Sequence, residues 1–442
     1  MIPKPAQPPM AQPDPHPSHP FDLVLTAAAP ATRSAFESYG LGFLAYDTTL
    51  PAIIEAAKAD PDCPGAQLHA AAVHMACESA EGFAKAAVFI AQARRTLRRA
   101  SLRERAFGRA VLAWHRMDYR RALDEILDLA ARWPEDIVAL KWGQYHAFNL
   151  GDHAALLKLA KRLTHPYPGA SYVHGMEAFA LEQTHALNAA QDAGLRAVSI
   201  EPGDGWAHHA VAHVHETRAA PEDGLAWMEA HAHTWEGRGK FIQHHNWWHT
   251  ALFRLDLDDV PGALEIYDRR LWGLNPGFAQ ELAGAIATLW RLELRGVDGG
   301  ARWQPLAAAV DARPQEHILP FLDLHYVYAL ARAGTGAALE GYLASMERAA
   351  EARPNMACRA VWRGTVLEAA RGVAAHGQGR YETAVRHLTT VVDHLQPIGG
   401  SHAQRAVFIM TAVDALEQTG AREAARQLRR RLVPKADLAA VA

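Results

Sequence analysis

Three prolines recur at a fixed interval in the middle of the chain. Pro134, Pro168 and Pro202 are equally spaced, in the strings WPED, YPGA and EPGD. Proline is tolerated just before a helix but not inside one, so each of them marks a boundary between two helices. Turn residues repeat in the same phase, because Met117–Asp118 and Gly151–Asp152 are separated by the same interval. A fixed period of this length restricts the chain to a repeat architecture, in which each unit buries its apolar face against the next.

The interval, about 34 residues, matches the period of the tetratricopeptide repeat, a pair of antiparallel helices. Half of the residues are hydrophobic, enough for a continuous core. We therefore predict an all-α, tetratricopeptide-type α-solenoid. Its first helices, here called A helices, should line the concave groove, and the second helices should cover the back. The A helices are predicted at about residues 104–116, 137–149, 170–183, 204–218 and 241–256.

The looser periodicity outside this region predicts three segments. Residues 1–20 contain eight prolines and no apolar run, which is typical of a disordered tail and not of a signal peptide. Residues 21–290 are predicted to form tetratricopeptide-like repeats that carry the groove. Residues 291–442 are predicted to add further helical repeats that close the solenoid.

The charge balance limits the classes of partner. The chain has 45 basic and 48 acidic residues, and they are mixed along its length. This pattern favours neither a nucleic acid nor a membrane surface as a partner. Three scattered cysteines do not form a disulfide framework, which fits a reducing compartment, and we expect a cytoplasmic protein. Nothing in the sequence indicates an oligomeric state.

Histidines are concentrated in two predicted A helices. The chain has 25, and nine of them fall between His208 and His249. On the first helix, His209, His213 and Glu216 lie on one narrow stripe. His245 and His249 form a second pair with the same spacing. Each of them follows its counterpart in the first pair by the same number of residues, slightly more than one repeat. The two pairs therefore occupy equivalent positions on adjacent A helices, and we expect four imidazoles to converge in the groove.

Two such pairs on facing helices suit zinc or another divalent ion of similar ligand preference. The predicted metal ligands are His209, His213, His245 and His249. Imidazole also titrates near neutral pH, so an acid–base constellation without a metal is a second interpretation. A hydrogen-bonded structural network of histidines is a third.

The repeat register adds further groove residues. One repeat before the histidines it gives Gly175, Phe179 and Glu182, and two repeats before them it gives Lys141 and Tyr145. Glu182 is thus the equivalent of Glu216. Two later segments also carry polar groups, residues 317–330 and 398–408. In the second segment Ser401 is predicted as a helix N-cap with Gln404 at the capping-box position.

Several long strings of this chain resemble the tetratricopeptide-repeat protein 38 family. They are GWAHHAVAHVHE, HHNWWHTALF, FLDLH and GGSHAQRAVF, in order along residues 59–408. The chain departs from the family pattern at Thr217, Leu322 and Ala406, and at Gln144–Tyr145, where the family has His-Asp. The resemblance implies the solenoid fold and gives weight to the groove residues. It implies no activity.

We keep two hypotheses of function. In the first, the groove binds a small molecule and catalyses metal-assisted or His–Glu-assisted hydrolysis or elimination. Its predicted catalytic residues are His209, His213, Glu216, Asp323 and His325. Its predicted ligand-binding residues are Phe179, Glu182, His245, Asn246, Trp248, Gln404 and Arg405. In the alternative, the solenoid is a non-catalytic scaffold that holds a peptide or protein in its groove.

Overall fold

The computed structural model describes residues 25–432. These residues form helices joined by short loops and contain no strand, which confirms the all-α, tetratricopeptide-type fold. The predicted tail, residues 1–20, lies outside the described residues. The helices are α1 Pro30–Ala45, α2 Ala52–Ala59, α3 Pro64–Met75, α4 Ala80–Thr96, α5 Leu102–His115, α6 Tyr119–Arg132, α7 Ile137–Asn149, α8 His153–Thr164, α9 Ser171–Gln183, α10 Leu187–Ile200, α11 Gly205–Thr217, α12 Pro221–Trp235, α13 Lys240–Asp256, α14 Val260–Ile266, α15 Ala279–Glu293, α16 Trp303–Asp311, α17 Pro320–Arg332, α18 Gly336–Glu351, α19 Met356–Val361, α20 Leu367–Gly377, α21 Tyr381–Val391, α22 His402–Gln418 and α23 Arg422–Arg429.

Short segments of other helix types complete the described part of the chain. Some are 3₁₀ turns, at Leu97–Arg99, Gly300–Arg302, Gln396–Ile398 and Arg430–Leu432. Others are π-helical, at Tyr267–Leu271 and Trp362–Val366. The segment Trp362–Val366 joins α19 to α20, so residues 356–377 run as one continuous helix.

Aspartate side chains cap the first turn of several helices in the central repeats. The carboxylates of Asp118, Asp136, Asp152, Asp204 and Asp259 each accept a hydrogen bond from a backbone N–H in the first turn of α6, α7, α8, α11 and α14. Such caps satisfy donors that have no partner within the helix. The five predicted A helices correspond to α5, α7, α9, α11 and α13, with ends within two residues of the prediction.

The A helices α7, α9 and α11 are buried on nearly all sides. A helix on the surface of a groove would leave one face in water, so another part of the chain must cover them. The cover is the C-terminal segment that ends in α22. The Gln396 side chain donates to the Gly151 carbonyl at 2.6 Å, and a His402 ring nitrogen lies 3.1 Å from the Gln183 carbonyl.

Two glycines allow this close approach. Gly399 and Gly400 have φ angles of +85° and +81°, which L side chains rarely adopt. A Cβ at Gly399 would lie 2.9 Å from the Asn149 carbonyl oxygen, and one at Gly400 would lie 3.0 Å from the Phe321 ring. Ser401 then caps α22 in a capping box with Gln404. The Gly-Gly-Ser sequence thus places the start of α22 inside the superhelix.

A second set of contacts joins the early and late repeats. The Glu78 carboxylate accepts hydrogen bonds from Tyr145 Oη at 2.9 Å and from the Gln280 amide, and Arg313 donates to the Glu78 carbonyl at 3.2 Å. The expected open groove is therefore enclosed around its centre. The division predicted between residues 290 and 291 falls inside α15, because the turn that ends this helix comes only near Gly296.

None of the helices in residues 25–432 has the length and apolar character needed to cross a membrane.

Candidate metal centre

Adjacent A helices bring four histidines together. His209 and His213 of α11 face His245 and His249 of α13, with ring centroids 4.8 Å apart for His209–His245 and 4.5 Å apart for His213–His249. One nitrogen from each ring lies within 4.8 Å of the others. His209, His213 and His249 are buried, and His245 is half-buried. We call these four residues the histidine cluster.

The spacing of the rings is close to that of a metal site. Zinc–nitrogen bonds of about 2.0–2.1 Å in a tetrahedron put neighbouring nitrogens about 3.3 Å apart. The two Nε2 atoms of His209 and His213 are already 3.1 Å apart. The widest pair in the cluster, at most 4.8 Å apart, would need to close by roughly 1.5 Å around an ion.

Carboxylates lie behind two of the rings, the buried one of Glu182 and the half-buried one of Glu216. His249 Nδ1 is 3.2 Å from Glu216 Oε2, and His213 Nδ1 is 3.7 Å from Glu182 Oε2. Glu216 at His249 Nδ1 holds the proton there and leaves Nε2 as the donor atom, as behind zinc-bound histidines. Glu182 is beyond hydrogen-bond distance of His213 Nδ1. His249 Nε2 makes no hydrogen bond to any described residue. The predicted pair Glu182 and Glu216 therefore flanks the cluster from two adjacent repeats.

Burial sets the protonation of the cluster. It lowers the pKa of His249 to about 3, and it holds the pKa values of His209 and His213 well below the usual value, with neighbouring imidazoles as a second cause. The rings are therefore neutral at pH 7 and present lone pairs. Burial also raises the pKa values of Glu182 and Glu216 to about 7.

Aromatic rings wall the cluster from water. Trp206 stacks on His209 at 4.4 Å, and Phe179 lies 5.4 Å from both His209 and His213. Trp248 lies 4.8 Å from His249. Of the predicted ligand-binding residues, Phe179 and Trp248 thus contact the histidines directly. Walls of this kind lower the local dielectric and strengthen electrostatic interactions inside.

A small cleft opens beside His245. Its volume is about 10 Å³, the space that one water molecule needs. His325 Nδ1 lies 2.7 Å from the Phe321 carbonyl, which leaves Nε2 without a hydrogen bond to any described residue. We call this space the cleft; it is lined by His245, Trp248, Gln280, Phe321, His325 and Gln404 among others.

Gln404 and Arg405 reach this region with their polar groups already engaged. The Gln404 side-chain oxygen accepts from the Ser401 N–H at 2.9 Å. Arg405 donates to the carbonyl of Gly400, and its positive charge opposes the upward pKa shift of Glu182. The Gln404 and Arg405 side chains, which stabilise the start of α22 in the interior, therefore also border the candidate site.

Asn246 and Asp323 are not brought to the cluster. The Asn246 amide donates to the Gly205 carbonyl at 3.1 Å, so it joins α13 to the start of α11. Asp323 lies two residues before His325, and such residues point to opposite sides of a helix. Its Oδ1 lies 2.9 Å from His317 Nδ1 and accepts from Tyr342 at 2.6 Å.

His317 continues this second network to Ser345, with Nε2 and Oγ 2.8 Å apart. The order Asp323, His317, Ser345 is that of a hydrolase triad. Ser345 lies in the interior of α18, however, where the backbone N–H groups are used by the helix and none is left to stabilise an oxyanion. We interpret the network as a structural link between α17 and α18.

Arg291 is a site residue that sequence reasoning missed. Its guanidinium donates to the Ala403 carbonyl at 2.7 Å and lies 5.4 Å from the Trp248 ring centre. It is buried, and its charge opposes the raised pKa of Glu216. The only signal for it in the sequence is an arginine within the apolar string ATLWRLE.

Comparisons with known proteins leave the family open. No family model matches the chain. Among solved structures it is similar to a human IFIT1 dimer with m7Gppp-AAAA, at 12% identity and a TM-score of 0.41, over 84% of this chain and 89% of that one. It is also similar to Naa15/Naa10 bound to HypK-THB, at 14% identity and a TM-score of 0.27, over 92% of this chain and 64% of that one. A third similar structure is the P58(IPK) TPR domain, at 11% identity and a TM-score of 0.19, over 90% of this chain and 98% of that one. With TM-scores below 0.5, these likenesses carry no argument about function.

Proposed function

We propose that this helical-repeat protein binds a divalent ion of the zinc class at the histidine cluster and acts on a small molecule beside it. The observation that carries the proposal is the convergence of the four imidazoles, with one nitrogen from each ring within 4.8 Å of the others. The rings are neutral, and Glu216 lies 3.2 Å behind His249. Neutral imidazoles, one of them oriented by a carboxylate, suit a divalent ion such as zinc.

The four histidines and Glu216 have different proposed roles according to their positions. His209, His213 and His249 are buried and serve as fixed ligands. His245 is half-buried and also lines the cleft, so the coordination position open to water or substrate lies on its side. A bound ion there would polarise a carbonyl group or lower the pKa of a water molecule. Glu216, with a pKa of about 7, is suited to hold or release a proton near neutral pH.

This chemistry corresponds to hydrolysis or elimination on a small substrate. The enclosure of α7, α9 and α11 by the C-terminal segment supports a small ligand over an extended peptide, since a peptide needs an open surface along several repeats. The cleft is tight, so a substrate would require α22 or the side chains around it to move. A scaffold role would have to use other surfaces of the solenoid.

We also propose membership of the tetratricopeptide-repeat protein 38 family. The support is the set of shared strings, which include both histidine pairs and the Gly-Gly-Ser entry to α22. These strings coincide with the residues that surround the cluster, so the family would share the site as well as the fold.

The test compares two buried histidines of α13. His249 belongs to the cluster, while His244 is 4% exposed on the same helix and lies outside it. His249→Ala and His244→Ala each leave a cavity of similar size, and we expect both to lower the free energy of unfolding by about 2–4 kcal/mol. Only His249→Ala should reduce zinc affinity, measured by competition with a chromogenic chelator.

Equal zinc affinity in the two variants would contradict the metal site. Absence of stoichiometric zinc binding by the unmodified protein, purified without a histidine tag, would do so as well. The cluster would then be an acid–base or hydrogen-bonding group of residues.

A further inference from the structure

Lys141 is a buried amine in the same row of groove positions as the histidines. It lies on α7, two repeats before His209, and is 5% exposed. Its ammonium is 4.4 Å from the Tyr46 ring centre, 5.4 Å from that of Phe43 and 5.5 Å from that of Trp206. It forms no ion pair and no hydrogen bond with any described residue.

The acidic group that faces Lys141 is already satisfied. Asp204 accepts hydrogen bonds from the Ser171 hydroxyl at 2.6 Å and from two backbone N–H groups of α11. It raises the pKa of Lys141, but burial outweighs it and lowers that pKa to about 7. Aromatic faces offset only part of the loss of hydration of an ammonium. The charge of Lys141 is therefore poorly compensated within the chain.

Lys141 is also close to the metal centre, because both contact Trp206. The ammonium lies 5.5 Å from the Trp206 ring centre, and the His209 ring centre lies 4.4 Å from it. The distance from the Lys141 nitrogen to the His209 ring centre therefore cannot exceed the sum of these two distances. Tyr46 stacks on Trp206 and contacts Phe241, which in turn stacks on His245. One layer of aromatic rings thus lies between the amine and the histidine cluster, and these rings would have to move for one ligand to reach both.

We propose that Lys141 binds the carboxylate of the substrate, so that the molecule on which the metal centre acts is a small organic acid with an apolar body. One ammonium supplies one positive charge, which matches a carboxylate, and the aromatic rings around it match an apolar group. A phosphate dianion would call for more donors than the chain provides here. The assignment of this anion as substrate rests on the proposed function; the binding of an anion at Lys141 does not.

The test uses benzoate as a simple aromatic carboxylate. Thermal midpoints are titrated with benzoate, with inorganic phosphate and with zinc, for the unmodified protein, for Lys141→Met and for Lys158→Met. Lys158 is exposed on α8 and is not among the predicted site residues, so it serves as the matched control. Methionine retains most of the side-chain volume at position 141 and removes the charge.

We expect benzoate to raise the midpoint of the unmodified protein and of Lys158→Met, with about tenfold or more weaker binding in Lys141→Met. Lys141→Met should itself be as stable as the unmodified protein or more so, and zinc should act on all three alike. Equal benzoate binding in the three proteins, no binding in any, or phosphate binding as strong as benzoate would overturn the assignment. A missing zinc response with Lys141-dependent benzoate binding would instead refute the metal centre alone.

Discussion

Replacement of Glu216 by glutamine should have opposite effects on stability and on metal binding. Glutamine has nearly the same shape and can still accept a hydrogen bond from His249, but it cannot ionise. In the metal-free protein the half-buried carboxylate lowers stability when it is ionised, because desolvation raises its pKa from 4.5 to about 7. In the metal-bound protein the same carboxylate orients a ligand and balances the charge of the ion.

The pKa shift fixes the sign and size of the stability effect. Between pH 4.5 and 7 the folded protein holds the Glu216 proton while the unfolded chain releases it, so stability falls as the pH rises through this window. Above pH 7 the full penalty of about 3 kcal/mol is present. Glu216→Gln should therefore be more stable than the unmodified protein by up to about 3 kcal/mol at pH 8, and no more stable near pH 4.5.

Metal affinity should change in the other direction. Loss of a carboxylate behind a ligating histidine lowers affinity about 10–100-fold, equivalent to about 1.4–2.7 kcal/mol. The combination of greater stability without metal and weaker metal binding distinguishes a functional carboxylate from a structural one. A structural hydrogen bond would lower stability when removed and leave metal binding unaffected.

The assay is urea unfolding with a chelator present at pH 8 and pH 5, together with zinc titration at pH 8. Glu340→Gln is the matched control, because Glu340 is exposed on α18 and away from the site. A Glu216→Gln variant that is less stable than the unmodified protein at pH 8 would contradict the raised pKa of Glu216. Equal zinc affinity in all three proteins would contradict its role behind a metal ligand.

Two further predictions concern acid stability and the entry of α22. Burial lowers the pKa of His249 from 6.5 to about 3, so its contribution to stability is complete above pH 6.5 and is lost below it, by about 2 kcal/mol at pH 5. His249→Gln should lose that much less stability between pH 7 and pH 5 in urea unfolding with chelator; an unchanged loss would contradict the pKa shift. Gly400→Ala should lower the free energy of unfolding by about 2 kcal/mol or more, and Gly420→Ala by only about 1 kcal/mol, since both have positive φ but only Gly400 lies against a ring. Equal effects of the two substitutions would show that the close approach to Phe321 is not what holds the segment.

The central repeats were predictable because period, turn and cap coincide in the sequence. Equally spaced prolines fix the phase, and an aspartate such as Asp136 or Asp152 begins the helix that follows. Once the phase is known, the register also gives lateral neighbours. That is why Glu182, which has no unusual local sequence around it, was identified as the counterpart of Glu216.

The enclosure of the groove was not predictable in the same way. A regular solenoid has an open concave face, and the repeat pattern contains no information about what fills it. The Gly399–Gly400 pair was the available signal, but glycines before a capped helix are common without any such contact. Only the fold shows that their positive φ values bring α22 against Asn149 and Phe321.

The positions of the predicted site residues in the later repeats were hard to predict for a related reason. Asp323 and His325 are neighbours in the sequence, yet a helix turns them to opposite sides, and His325 alone reaches the cleft. Arg291 gave a weak signal because a single charged residue in an apolar helix usually lies at the surface, and the register placed Lys141 in the groove without indicating its burial among aromatic rings. Their importance comes from contacts with other repeats, which no local pattern records.

X-ray absorption at the zinc edge measures whether the histidine cluster binds a divalent ion through its ring nitrogens. We expect one zinc per chain and a first shell of nitrogen or oxygen atoms at about 2.0–2.1 Å. We also expect the outer-shell scattering of at least three imidazoles, which should disappear in part in His249→Ala. A shell without imidazole, a shell that contains sulfur, or zinc that remains unchanged in His249→Ala would contradict this binding.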